Sequence, residues 1–324
     1  MPTPVKGEKP SVSIIIRCFN EERHIGTLLE RIYAQTVRDP EVIVVDSGST
    51  DDTLTIVERF PVRLVCISPT DFTFGYSLNQ GCRLASGTCL VFASAHVVPC
   101  REDWLERLIE PFADALVALV YGRQLGNERT KFSEHQLFAK QYPAESNPDQ
   151  RIPFCNNANA AVRRSLWLEH PYDETLSGLE DLAWGKWAVE RGHRIAYQAD
   201  AAVFHIHDES PAQIKRRHMR EALALKRIFP DSHVTFLQFL GLLASNVTRD
   251  LLAALRRGEV VGRFGEILMF RGMQYWGTYR GMNYRSPLTH ELIMRFYYPR
   301  PLRRTNPAVV DGVVPEGEYD GTRR

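Results

Sequence analysis

Over about its first 95 residues the chain alternates short β-branched apolar runs with helical patterns four times, and no other feature restricts its fold as much. Ser11 to Ile16, Val42 to Val45, Val62 to Ile67 and Leu90 to Ala93 are too short for helices, and they are apolar at nearly every position, as strands buried on both faces are. After the first run, Ile25, Leu28, Leu29, Ile32 and Tyr33 fall at helical spacing, with Asn20 placed to cap that helix. Ser47 to Asp52 opens a second helix, its Ser49 and Asp52 spaced as a capping box, and a third helix is expected from Gly75 to Ala85. Strands joined through helices form a parallel open sheet covered on both faces. Such a sheet takes its ligand beyond the carboxyl ends of its strands. The polar residues at those ends are Arg17 and Asn20, Asp46 to Asp52, Ser68 to Asp71, and Ser94 to His96. All four sets are therefore expected to face one crevice.

Beyond Arg101 the alternation loosens. Helices are expected over 103–112, 179–191 (stopped by Gly192), 211–229 and 235–256, and one or two strands over 194–207. Pro153 to Asn159 reads as an asparagine-rich loop, and Gly272 to Arg285 is rich in glycine, tyrosine and arginine. The net charge of +1 is unevenly spread: 17 Lys/Arg against 6 Asp/Glu between Lys215 and Arg304 make that region +11, and residues 1–214 carry −8. A basic second part suits an anionic membrane surface, an anionic substrate, or a solvated helical surface. The six cysteines contain no Cys-x-x-Cys pair, which excludes zinc-ribbon and thioredoxin readings. Met1 to Lys9 has no apolar core of a signal peptide, and no stretch approaches the 18 or so apolar residues of a membrane span. A cytoplasmic protein, or one lying on the cytosolic membrane face, is expected.

The glycine-rich dinucleotide fingerprint, the P-loop, the nucleophile elbow and the H-E-x-x-H zinc motif are all missing. What remains is an α/β crevice with carboxylates, asparagines and histidines. A nucleotide bound there needs its diphosphate neutralised by a metal or by Arg/Lys.

Val12 to Glu21 and Val42 to Asp51 resemble the opening of family-2 glycosyltransferases. The loop Phe154 to Arg164 and the Gly178-Leu179-Glu180-Asp181 block agree with that family in order and spacing, so the resemblance covers roughly residues 11–210. It implies an α/β GT-A (Rossmann-like) mixed sheet with flanking helices, and transfer of a sugar from a nucleotide-diphospho-sugar, mostly with inversion. Asp181 is then the base that deprotonates the acceptor hydroxyl, with Glu180 beside it. Asp46, followed by Ser47 where many relatives carry a second aspartate, contacts the nucleotide. Arg17, Asn20 and Glu21 join it from the first strand end, and Asn156 and Asn157 face donor or acceptor hydroxyls. Either aspartate can instead serve a helix N-terminus, and the asparagines can instead satisfy their own turn.

One block departs from the family. The metal-binding Asp-x-Asp is replaced by Ser94-Ala95-His96. Serine is a poor ligand for a hard dication, whereas histidine binds Mn²⁺ or Zn²⁺. Three readings stay open: His96 ligates a divalent ion (Mn²⁺ or Mg²⁺) with help, cationic side chains replace the metal, or catalysis is lost. His205, with His207 second, is the histidine expected to reach the metal or diphosphate.

The expected organisation is a flexible N-terminus (1–10), a catalytic domain (11–210), a mainly helical basic extension (211–298) and a mobile tail (299–324). The expected partners are a nucleotide-diphospho-sugar and a saccharide or lipid-linked acceptor, without nucleic acid. The apolar run at 236–243, followed by Arg249, Arg256 and Arg257, is read as a peripheral membrane contact or as a helix packing on the domain or on a second copy. The competing reading of the whole is a non-catalytic nucleotide-sugar-binding or scaffold protein of the same fold.

Overall fold

The structure, a computed structural model, describes residues 11–287 and 289–298. The expected flexible N-terminus at 1–10 and mobile tail at 299–324 lie outside the described residues.

Strands β1 (Val12–Cys18), β2 (Glu41–Asp46), β3 (Arg63–Cys66) and β4 (Cys89–Ser94) pair in parallel in the order β3-β2-β1-β4. Helices α1 (Ile25–Tyr33), α2 (Thr53–Val57) and α3 (Phe74–Leu84) make the crossovers. The sheet continues through β8 (Asn159–Arg163), β6 (Val117–Leu125), β9 (Arg194–His205) and β5 (Val97–Pro99), with β7 (Asn147–Gln150) also on β9. Because β8 runs antiparallel to both β4 and β6, the nine-stranded sheet is mixed rather than parallel throughout.

Side chains alternate across the central strands, and this splits the core into two layers. Ile14, Ile16, Val42, Val44 and Val91 pack under α1 and α4 (Trp104–Ile109) on one face. Ile15, Ile43, Val45 and Phe92 pack on the other with Trp167 of α6 (Arg164–Glu169) and Trp184 and Trp187 of α7 (Glu180–Glu190). Trp184 and Trp187 are thus core residues, and the Trp184 indole donates to the His170 carbonyl at 2.7 Å.

Two local expectations are corrected. Asn20 does not cap a helix: it sits at φ 54°, turning the chain after β1, and α1 begins only at Ile25. Ser49 and Asp52 form no capping box: Ser49 Oγ donates to Asp46, and the Thr53 amide bonds Asp51 Oδ1 at 3.0 Å. Asparagine tolerates the left-handed region, and a short polar side chain near a strand end bonds whichever backbone the tertiary fold presents.

After β9 come α8 (Pro211–Ile228), α9 (Phe236–Arg256) and α10 (Val260–Met282), with α5 (Phe132–Gln141) packing against α10 from the sheet side. Capping boxes start α8 at Ser210 and α9 at Thr235. Helix α11 (His290–Tyr297) belongs to a separate unit following Pro287 and begins with Thr289 Oγ1 accepting the Leu292 amide at 3.2 Å. No helix among the described residues is long and apolar enough to cross a membrane.

Candidate active site

A cleft of about 570 Å³ opens at the carboxyl ends of β1 and β4, where the strand order reverses. Parallel register sets Arg17 beside Ser94 and Cys18 beside Asp46 at this edge. The loops after β1 and β2 are zipped together across the strand ends. Asn20 N–H donates to Ser49 Oγ (2.9 Å), Thr50 N–H to Asn20 Oδ1 (2.7 Å), and Glu21 N–H to Thr53 Oγ1 (2.7 Å).

Arg17, Asn20, Glu21, Ser94 and His96 line the cleft from the sheet, as the sequence predicts. Asn156, Asn157, Glu180, Asp181 and His205 line it from the second half. Asp46 and Ser47 do not. Asp46 is 1% exposed, and its carboxylate accepts the Gly48 and Ser49 amides (2.8 and 2.9 Å) and the Ser49 hydroxyl. Ser47 is buried and donates N–H to the Cys18 carbonyl. An aspartate ending a buried strand beside free turn amides satisfies those amides first, so this pair shapes the loop instead of facing the cleft. Ser68 to Asp71 also stay out of it: the Ser68 and Thr70 hydroxyls bond each other at 2.7 Å.

Asp181 occupies the first turn of α7, just after Leu179, whose φ of 57° is a conformation that costs a leucine on the order of 1–2 kcal/mol. Asp181 Oδ2 accepts the Asn157 amide at 3.0 Å and Oδ1 the Leu182 amide at 2.7 Å. Burial first, and the neighbouring Glu180 charge second, push the Asp181 carboxyl up to about 7, against the pull of those amides and of Arg17. Glu180 is held by Arg17 Nη1 at 3.3 Å. Asn157 is 3% exposed, while Asn156 accepts the Ala158 amide in its own turn, so of the two only Asn157 touches the carboxylate pair.

Opposite these groups, His96, His205 and His207 offer ring nitrogens lying within 4.8 Å of one another. Burial, with the His207, His96 and Arg217 charges, drives the His205 imidazole well below its usual range, so it is neutral.

Sequence reading did not single out Phe74, Glu134, Arg217 or Arg220. The Arg17 and Arg220 guanidiniums both lie over the Phe74 ring, at 4.5 and 4.6 Å from its centroid. Arg217 and Arg220 come from α8, beyond the region of resemblance, and only folding brings them to the cleft.

Residues 13–169 match the family model described as glycosyl transferase family 2. The chain is 27% identical over 227 residues to the O-antigen chain rhamnosyltransferase WbaN of Salmonella anatum, covering 64% of this chain and 70% of that one. It is 26% identical over 219 residues to RfbN of Salmonella typhimurium, with the same coverage and the same description. Among solved structures it resembles mannosyltransferase PcManGT from Pyrobaculum calidifontis, solved with GDP-Man and Mn²⁺, at a TM-score of 0.61 and 19% identity over 87% of this chain and 89% of that one. The last likeness is one of fold.

Proposed function

The chain belongs to glycosyl transferase family 2 and has the GT-A fold, and from that premise we propose that it transfers a sugar from a nucleotide-diphospho-sugar to a saccharide or lipid-linked saccharide hydroxyl, with inversion and with Asp181 as base. The observation that carries this reading is the Asp181 carboxyl, raised to about 7 in a cleft that also holds four histidines and four arginines. A base whose proton affinity lies near neutral pH accepts the acceptor proton readily while a substantial share of it is still ionised. Glu180 is already engaged by Arg17 and Asn157, so Asp181 is the carboxylate of the pair assigned to this step. The Leu182 and Asn157 amides orient Asp181, and Arg17 and Arg220 bring positive charge to the donor side.

His96 and His205 would hold a divalent ion, and imidazole donors suit one of the transition series. Bound there, the ion would neutralise the diphosphate leaving group. The O-antigen rhamnosyltransferase relatives support a surface-polymer saccharide as acceptor.

A lipid-linked acceptor also fits the helical hairpin of α9 and α10. Leu237, Leu240, Leu252 and Leu255 fall on one face of α9, and Val261, Phe264 and Leu268 on one face of α10, all of them exposed. Arg249, Arg256, Arg257 and Arg263 are exposed on the same hairpin, and Trp276 and Tyr279 stack near its open end beside Arg280. Apolar stripes with arginines and interfacial aromatics match an anionic bilayer surface.

The test of the donor site is thermal stability with UDP, GDP, dTDP, CDP and CMP. A nucleotide at about 100 times its dissociation constant stabilises by about 2.7 kcal/mol. One nucleotide is expected to raise the melting temperature; no shift with any of them at millimolar concentration would overturn the reading.

A further inference from the structure

His96, in the turn between β4 and β5, is brought to the end of β9 because β5 pairs antiparallel with β9, placing Val97 opposite His205. His207 follows two residues later. His205 Nε2 and His207 Nε2 lie 3.1 Å apart. Two imidazole nitrogens bound to one ion at about 2.0–2.1 Å sit roughly 3.0–3.4 Å apart, so this pair is already at ligand spacing. Bringing the third nitrogen in from within 4.8 Å takes a side-chain adjustment of about 1.5 Å to reach that spacing.

The other nitrogen of each ring is occupied. His96 Nδ1 meets Glu21 Oε1 at 2.7 Å, His205 Nδ1 meets Gln124 Oε1 at 2.7 Å, and His207 Nδ1 meets Glu134 Oε1 at 2.8 Å. An oxygen acceptor there places the proton on Nδ1 and leaves the lone pair on Nε2. Two lone pairs facing each other at 3.1 Å repel unless a cation lies between them. Carboxylate or amide oxygens behind imidazoles are also how metal-ligating histidines are oriented. The Ser94 hydroxyl, 3.1 Å from His96 Nε2, is the near group that competes for that lone pair. The adjacent grouping of Glu134, His207 and Glu209 has its cation already, since Arg217 donates to Glu134 at 2.8 Å and to Glu209 at 2.6 Å.

We infer that His96, His205 and His207 form a three-imidazole site for a first-row transition-metal dication, with Glu21, Gln124 and Glu134 as positioning residues. The inference rests on the donor-site reading above and deepens it, because these rings face the cleft proposed for the diphosphate. A donor set of three imidazoles without a carboxylate favours Zn²⁺, Co²⁺, Ni²⁺, Fe²⁺ or Mn²⁺ and disfavours Mg²⁺ and Ca²⁺, which demand oxygen.

The test uses the full chain, stripped with chelator and titrated with Co²⁺ while its visible d–d absorption is read. One equivalent is expected to bind, with millimolar Mg²⁺ failing to displace it. His96→Gln and His207→Gln are each expected to weaken Co²⁺ binding at least 100-fold. Glu134→Gln is expected to weaken it about 10–100-fold, as loss of an orienting partner does. Circular dichroism checks that each variant folds, and Glu21→Gln replaces Glu134→Gln if the latter does not. Absence of Co²⁺ uptake by folded protein overturns the site, and is the result expected from a plain His205–His207 hydrogen bond with the Gln124 amide reversed. Equal affinity for Mg²⁺, or unchanged affinity in both histidine variants, also overturns it. Nucleotide-induced thermal shifts in EDTA are measured alongside. A nucleotide shift without metal uptake overturns the metal site and leaves the donor reading standing; metal uptake without any nucleotide shift supports the site and overturns the donor reading.

Discussion

Asp46 and Asp181 are both aspartates beside buried apolar segments, and they end in opposite situations. Asp46 has its carboxylate ringed by turn donors, with the Gly48 and Ser49 amides and the Ser49 hydroxyl all bonded to it. Asp181 is likewise buried but shares its pocket with Glu180, and its carboxyl is pushed up to about 7. Its folded value therefore lies above the unfolded carboxylate near 4, so the folded state holds the proton more tightly. Stability from this group is present at low pH and lost as pH rises from about 4 through 7. Asp181→Asn keeps the neutral form at every pH. The variant is expected to melt above the wild type at pH 8, to match it near pH 3, and to lose about 10²- to 10⁴-fold in transfer rate. Wild-type transfer should itself rise with pH through about 7. Undiminished transfer in Asp181→Asn would remove the base assignment, and a stability gap equal at both pH values would remove the burial account. The acidic pair was readable through the family resemblance of the Gly178-Leu179-Glu180-Asp181 block. The fate of Asp46 was not, because a strand-end carboxylate serves ligand or turn depending on which amides the next loop presents.

Helix α10 holds the stretch that reads in sequence only as rich in glycine, tyrosine and arginine. Gly277 and Gly281 lie four residues apart on one face of this 23-residue helix. A Cβ on Gly277 would stand 2.4 Å from the Lys215 carbonyl oxygen, and one on Gly281 2.5 Å from that of Met219, so α10 and α8 approach backbone to backbone. Glycine inside a helix costs about 1 kcal/mol relative to alanine, a loss that this close packing offsets. Gly277→Ala is expected to destabilise the fold by about 1–3 kcal/mol, as overpacking does. Gly272→Ala, with nothing within 4 Å of the added Cβ, is expected to stabilise by up to about 1 kcal/mol. Denaturant midpoints measure both, and equal effects at the two positions would dismiss the packing argument. Strand β8 was missed for a related reason. Asn159-Ala160-Ala161-Val162-Arg163 has no local strand signature, and Ala160 and Ala161 are wholly buried only because β8 fits between β4 and β6.

The described residues present two unlike surfaces of note. One is the polar cleft; the other is the α9–α10 hairpin, where Leu237 is 79% and Val261 91% exposed. From Phe236 to Thr248 helix α9 carries no charge, and the arginines follow. The protein is expected to co-sediment with vesicles of mixed neutral and anionic phospholipid, and far less with neutral ones. Paired Leu237→Glu and Leu240→Glu changes should reduce that binding several-fold without altering nucleotide affinity. A concentration-dependent dimer in light scattering, broken by the same changes and unaccompanied by vesicle binding, would assign the hairpin to a second copy instead.

Much of this molecule follows from local pattern. Four short apolar runs separated by helical periodicity specify a parallel αβ layer, and β1, β2 and β4 are buried nearly throughout while the edge strand β3 stays partly exposed. The same pattern locates Arg17, Ser94 and His96 at strand ends, hence at a common edge. Non-local pairing is responsible for the rest. The antiparallel β5–β9 pairing carries His96 to His205, α8 folds back so that Arg217 and Arg220 reach the cleft, and burial beside Glu180 sets the proton affinity of Asp181. Residue type and spacing name the groups capable of chemistry, but desolvation and partner distance depend on atoms far away in the chain, so the working state of each group exists only once the chain has folded.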